Sequence, residues 1–191
     1  EETRFDSIGP AIGQELYKKS VTSVIIVMVV IMAYIAWSFR KVSKPVPAWV
    51  YGVVVIVAFI HDVAIPLGAF AWLGHFYNVE IGSPFIAAIL MILGYSINDT
   101  IVVLDRVREN LRKVKGTLVE VLEASVHQTI SRSINTSLTV LLTLIAVLMF
   151  GGSTLATFSI ALIIGVVFGT YSSIFIAVPL LITRYNWKSR R

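Results

Sequence analysis

The chain has 191 residues, 57% of them hydrophobic and only 14% charged, with a mean hydropathy of +0.84. Soluble domains carry roughly 25% charged residues, so the composition excludes an ordinary water-soluble domain and describes an integral membrane protein. There is no cysteine, which excludes thiolate metal sites, thiol nucleophiles and disulfides. The net charge of +5 would suit a nucleic-acid partner, but none is expected, because the positive residues are distributed as membrane topology requires.

The first residues, Glu1 to Tyr17, are polar and mixed in charge, with Ile8-Gly9-Pro10 among them. They begin Glu-Glu-Thr-Arg, with neither an initiator Met nor the n- and h-regions of a signal peptide. The expectation is a piece of a longer protein, with residues 1–20 the tail of an external domain that enters the bilayer at Lys18-Lys19. An external start would require an earlier transmembrane helix upstream.

A bilayer core of about 30 Å needs roughly 20 apolar residues per helix. Five runs meet that length, at about 21–39, 49–73, 84–104, 130–150 and 154–183. The second is interrupted by His61-Asp62 and the third by Asn98-Asp99. The fourth is uncharged from Ile134 to Phe150, with Arg132 just before that stretch. The fifth is longer than a perpendicular span, so it is expected to tilt, to bend at Gly165 or Gly169, or to project from the membrane.

The connecting segments alternate in charge. Segment 40–48 has Arg40, Lys41 and Lys44; segment 105–129 has Arg106, Arg108, Arg112, Lys113 and Lys115; the tail has Arg184, Lys188, Arg190 and Arg191. Segments 74–83 and 151–153 have no Lys or Arg. By the positive-inside rule the N-terminus of this chain is external and the C-terminus cytoplasmic. Within 105–129, Val107, Leu111, Val114, Leu118, Val121 or Leu122, and Val126 recur at helical spacing. Gly116 suits a helix C-cap, and Thr117-Leu118-Val119-Glu120 has the form of a capping box. The expectation is a cytoplasmic amphipathic helix at the membrane interface.

Asp99 is the residue that most demands a use. A carboxylate in a lipid-crossing helix costs roughly 2.5–3.5 kcal/mol on insertion scales. Such a group carries protons or ions, pairs with a buried cation, or binds a ligand. Alternatively the helix sits higher and Asp99 lies at the headgroups, although Ile101 to Leu104 and then Asp105-Arg106 make a better boundary. Its candidate partner is Arg132, which opens the fourth span. Arg132, Thr136, Thr139 and Thr143 share one polar helix face. A guanidinium favours the charged carboxylate and burial disfavours it, so a balanced pair can switch protonation when one partner moves. The alternative is that Arg132 snorkels to the headgroups. Asp62, beside the titratable His61, either joins a polar path with Asp99 or bonds a neighbouring helix. Pro66 is expected to free a backbone carbonyl near it. Asn98 and Thr136 are further candidates for a proton pathway. Ala161, Gly165, Gly169 and Ser173 form a small-residue ridge on the fifth span, a packing surface inside the bundle or toward another subunit. His75 and His127 carry no special signal.

There is no His-Glu-x-x-His, no Gly-x-Ser-x-Gly and no Walker loop, so neither enzymatic chemistry nor a cofactor is expected. Work done by this chain would draw on a membrane potential or proton gradient, at about 2.3 kcal/mol per charge per 100 mV.

The segment Gly94-Tyr95-Ser96-Ile97-Asn98-Asp99-Thr100-Ile101-Val102-Val103-Leu104-Asp105-Arg106-Val107-Arg108-Glu109-Asn110 resembles the signature of the SecF branch of the SecD/SecF family of protein-export membrane proteins. Phe5-Asp6-Ser7-Ile8-Gly9-Pro10, His61-Asp62 and Ser131-Arg132-Ser133-Ile134-Asn135-Thr136-Ser137 resemble that family too. The resemblance implies the last five of six transmembrane helices, forming half of a pseudo-symmetric transmembrane domain of the resistance-nodulation-division superfamily. It implies a bacterial or archaeal cell membrane, with SecD and the SecYEG translocon as partners. Protons would drive the cycle, and an unfolded exported chain would be the cargo. By residue match, Asp99 would be the proton-path carboxylate and Arg132 its cationic neighbour. The rival readings are a proton-coupled exporter of small molecules in the same superfamily, or a static assembly subunit in which Asp99 and Arg132 only hold helices together.

Overall fold

The structure, a computed structural model, describes residues 10–40, 46–114 and 116–189. Phe5 to Gly9, Lys41, Lys44, Lys115, Arg190 and Arg191, on which part of the sequence reading rests, lie outside the described residues. Among the described residues the regular structure is entirely helical: α1 (Pro10–Ser38), α2 (Ala48–Tyr77), α3 (Ser83–Lys113), α4 (Leu118–Phe150), α5 (Ser153–Phe175) and α6 (Ala177–Ser189). Five stretches are long and apolar enough to cross a bilayer: Lys18–Ser38, Ala48–Tyr77, Ser83–Lys113, Leu118–Phe150 and Leu155–Trp187. The fold is therefore an all-α bundle with five long apolar helices.

The helix ends have local causes. α2 closes on Asn78, whose φ of 53° is the left-handed conformation common after a helix C-terminus. Pro84 occupies the first turn of α3, where a missing N–H leaves no bond unmade. α4 starts with the capping box that Thr117 and Glu120 foretell. The Thr117 backbone N–H donates to the Glu120 carboxylate at 2.8 Å, and the Glu120 N–H donates to Thr117 Oγ1 at 3.4 Å. α5 follows Gly152, whose φ of 75° suits a residue without Cβ.

Two expectations need correction. The amphipathic pattern of 105–129 belongs to no separate helix: α3 runs on to Lys113 and α4 starts at Leu118. Val107, Leu118 and Leu122 are buried between these extensions because the same apolar stripe continues past the membrane-length run. α3 ends on Val114 in extended backbone rather than on Gly116. Of the alternatives expected for the long fifth run, the bend at Gly165 or Gly169 is the one overturned: both stay in continuous helix, and the break falls at Ile176. Pro179 supplies the cause: it has no N–H to give the Phe175 carbonyl, and its ring crowds that turn.

α5 packs against α2, α3 and α4, and its most extensive contact is with α3. α1 lies to the side, mainly on α2. Large apolar side chains such as Ile25, Val29, Val30, Leu142 and Phe150 face outward. In water that would be an error; in hydrocarbon it costs nothing.

The buried apolar residues form two clusters. One joins Ile35, Tyr51, Phe59, Val103, Leu122 and Leu181; the other joins Phe70, Phe85, Ile92, Leu144, Ala161 and Val166. Between them each of four helices contributes polar residues: Asp62 from α2, Ser96, Asp99 and Thr100 from α3, Ser133 and Ser137 from α4, and Ser172 and Ser173 from α5. A buried polar layer of this kind is expensive unless its members bond one another.

Candidate functional site

Asp99 stands in that layer and is 7% exposed. It is enclosed by neighbouring helices. Both of its oxygens accept from serines on other helices. Ser133 of α4 donates to Oδ1 at 2.6 Å, and Ser173 of α5 donates to Oδ2 at 2.7 Å.

Arg132 is not the partner of Asp99. It is exposed, and no ion pair among the described residues includes it. Successive helix positions point about 100° apart, so the α4 stripe that faces α3 and α5 is Ser125, Thr129, Ser133 and Ser137. The stripe of Arg132, Thr136, Thr139 and Thr143 is turned outward, and all four are exposed. With no neighbouring helix, its threonines bond back to their own helix: Thr136 to the Arg132 carbonyl at 2.9 Å and Thr143 to the Thr139 carbonyl at 3.0 Å. Arg132 borders a cleft of about 370 Å³ beside Tyr34, Ser38, Asp105, Arg108 and Gln128.

Asp62 is fully buried. Its Oδ2 accepts from Ser172 of α5 at 2.7 Å and from Ser96 of α3. His61 Nδ1 lies 2.9 Å from Oδ1 and donates to it when that nitrogen carries the proton. Pro66, also buried, stands four residues on, so the Asp62 carbonyl has no helical N–H donor. Asp62 is thus bonded to neighbouring helices and brought into the same layer as Asp99. Asn98 is exposed and takes no part. His75 and His127 are exposed as well.

The ridge of Ala161, Gly165, Gly169 and Ser173 lies inside the bundle, against α3. A Cβ on Gly165 would come within 2.3–2.9 Å of the Ile92 side chain. A Cβ on Gly169 would stand 3.3 Å from Ser96 Cβ and 3.8 Å from Asp62 Oδ2. Absent side chains here let α5 approach closely enough for Ser172 and Ser173 to reach the two aspartates.

A third strand of the network joins Tyr95, Ser137 and Thr170. The Tyr95 hydroxyl donates to Ser137 Oγ at 2.9 Å, and Ser137 and Thr170 share a bond of 2.5 Å. Sequence reading misses the serines that do the bonding: Ser96 and Ser133 enter it only within family segments, Ser173 only as a packing residue, and Ser172 not at all. The available signal was two consecutive serines in an apolar run and a serine one turn before Asp99, all needing a partner in lipid.

The arrangement can hold two carboxylates away from water with neutral donors. A serine hydroxyl donates to a carboxylate or accepts from a carboxylic acid, so the site accommodates both charge states of each aspartate. Among the described residues no cluster of three or more His, Asp or Glu could hold a metal ion.

Residues 1–187 match the family described as "Protein export membrane protein SecD/SecF, C-terminal". The chain is 46% identical over 187 residues to the protein translocase subunit SecF of Thermobaculum terrenum, covering 97% of this chain and 58% of that one. It is 42% identical over 187 residues to the protein translocase subunit SecDF of Thermus thermophilus, covering 97% of this chain and 23% of that one. The fold matches a crystal structure of SecDF, a translocon-associated membrane protein from Thermus thermophilus, with a TM-score of 0.81 at 42% identity over 94% of this chain and 23% of that one. The chain spans little more than half the length of the SecF proteins it matches. It belongs to the SecD/SecF family.

Proposed function

We propose that this chain is the transmembrane portion of a SecF-type subunit that, with SecD, uses the proton gradient to assist protein export through the SecYEG translocon. The observation that carries the proton reading is the setting of Asp99. It is a buried carboxylate bonded only to hydroxyls, with no cation against it among the described residues. A fixed structural charge in a membrane bundle is ordinarily balanced by a cation. A carboxylate held by serines instead can gain and lose a proton without breaking up its surroundings.

The outward stripe of Arg132 and three threonines supports the partner reading. Lipid is a costly neighbour for a guanidinium, so a second protein is the fitting cover, and SecD is the natural candidate. In that assembly Arg132 would meet groups of SecD rather than Asp99 of its own subunit. The basic ends of the helices, with Arg106, Arg108, Arg112, Lys113 and Arg184, support a cytoplasmic position for that side and for the C-terminus.

The test is Asp99→Asn in the full-length subunit assembled with SecD. The amide keeps size and hydrogen bonding but cannot titrate. Gradient-driven export should be lost while assembly persists. Near-normal gradient-driven export would leave Asp99 as a structural group and overturn the proton reading.

A further inference from the structure

We propose that Asp62 is a second protonatable carboxylate of the same unit, and that Ser172 and Ser173, side by side on α5, couple its charge state to that of Asp99. The inference rests on the proton-coupled reading of Asp99 and adds a second site and the device that links the two.

The geometry is specific. Ser172 donates to Asp62 Oδ2 at 2.7 Å, and Ser173 donates to Asp99 Oδ2 at 2.7 Å. One peptide unit of α5 therefore serves two carboxylates that belong to different helices. α3 makes the same connection, because Ser96 donates to Asp62 and Asp99 follows three residues later. Residues three apart on a helix are neighbours, with Cβ atoms about 5–6 Å from each other. The titratable group bonded to Asp62 is His61 on its own helix; α3 and α5 present to it the hydroxyls of Ser96 and Ser172, and Asp99 lies one turn along α3 from Ser96.

Each α5 serine also has a second acceptor on its own helix. Ser172 Oγ is 3.1 Å from the Gly169 carbonyl, and Ser173 Oγ is 2.9 Å from the Thr170 carbonyl. A hydroxyl has one proton to give. While the aspartate is ionised, the serine donates to it. When a proton binds, an O–H forms on the carboxyl, and the serine can turn to its helix carbonyl and accept from the acid. Nothing else is consumed or released. Both rearrangements fall on one turn of α5, the helix that touches α2, α3 and α4. His61, whose side chain is 29% exposed, is the partner of Asp62 that reaches the outer face of the bundle.

The test is an infrared titration of carboxyl bands in the full-length subunit assembled with SecD in lipid vesicles. Wild type is compared with Asp62→Asn, Asp99→Asn and Ser172→Ala. A titrating band should disappear in Asp62→Asn, and the Asp99 midpoint should move by about one pH unit, the scale at which two sites count as coupled. Ser172→Ala should move both midpoints. It removes only one donor, so it carries the test if Asp62→Asn fails to assemble, and Asp62→Glu should restore the band. An Asp62 that never titrates, or an Asp99 midpoint unmoved by both Asp62→Asn and Ser172→Ala, overturns the coupling. Failure of the proton reading itself looks different: export would then survive Asp99→Asn, whatever the bands do.

Discussion

The Ser133 hydroxyl donates to the Asp99 carboxylate at 2.6 Å, in the place where the sequence pointed to the neighbouring Arg132. The bond joins α4 to α3 in the middle of the buried layer. Ser133→Ala removes the donor and leaves Asp99 Oδ1 buried without it. The expected loss of stability is about 1–3 kcal/mol, read from thermal unfolding of the full-length subunit in detergent. Arg132→Met, one residue away on the exposed stripe, should leave that unfolding unchanged. If the two variants unfolded alike, Arg132 rather than Ser133 would be the partner of Asp99.

The close approach of α5 to α3 makes Gly165 sensitive. A methyl group there meets the Cγ and Cδ atoms of Ile92, a β-branched side chain with no exposed surface into which to retreat. Gly165→Ala should lower stability by about 1–3 kcal/mol through overpacking. Gly165→Ala combined with Ile92→Ala should cost less than the sum of the two single losses, because the pair shares one contact. Additive losses in the double variant would contradict the packing.

Tyr51 behaves in the opposite sense. Its ring stacks on Phe39 at 4.7 Å, and its hydroxyl is buried with no hydrogen-bond partner among the described residues. Tyr51→Phe keeps the stack and removes a desolvated polar group. The expected outcome is a gain of about 1 kcal/mol, visible as a higher unfolding temperature. A clear loss would show that the hydroxyl has a partner in the assembled protein.

The outward threonine stripe gives a test of the SecD interface. These 191 residues contain no cysteine, so Thr139→Cys introduces a single label site among them. Maleimide should modify it in the subunit alone and be excluded once SecD is bound. Equal labelling in both states would place the interface elsewhere.

Topology is tested in the same background. Lys113→Cys, at the end of α3, should be labelled only when reagent reaches the cytoplasm. Labelling from outside intact cells would invert the proposed orientation.

The sequence alone settled the class of molecule and its helices. Run length, missing charge and the Thr117–Glu120 capping pair act locally, and a bilayer leaves an apolar run few options besides a helix. Asp99 and Asp62 were legible for the same reason, since a carboxylate stands out in an apolar run wherever its helix packs. What bonds them was not legible. The choice between Arg132 and Ser133 is a rotation of about 100° about the α4 axis, and both lie in a polar run that leaves the inward face open. Only the docking of α4 on α3 and α5 sets that angle. Ser172 and Ser173 posed the same difficulty: they lie more than 70 residues from the aspartates they bond. They meet them because Gly165 and Gly169 let α5 close on α3, a long-range packing decision that no local pattern records.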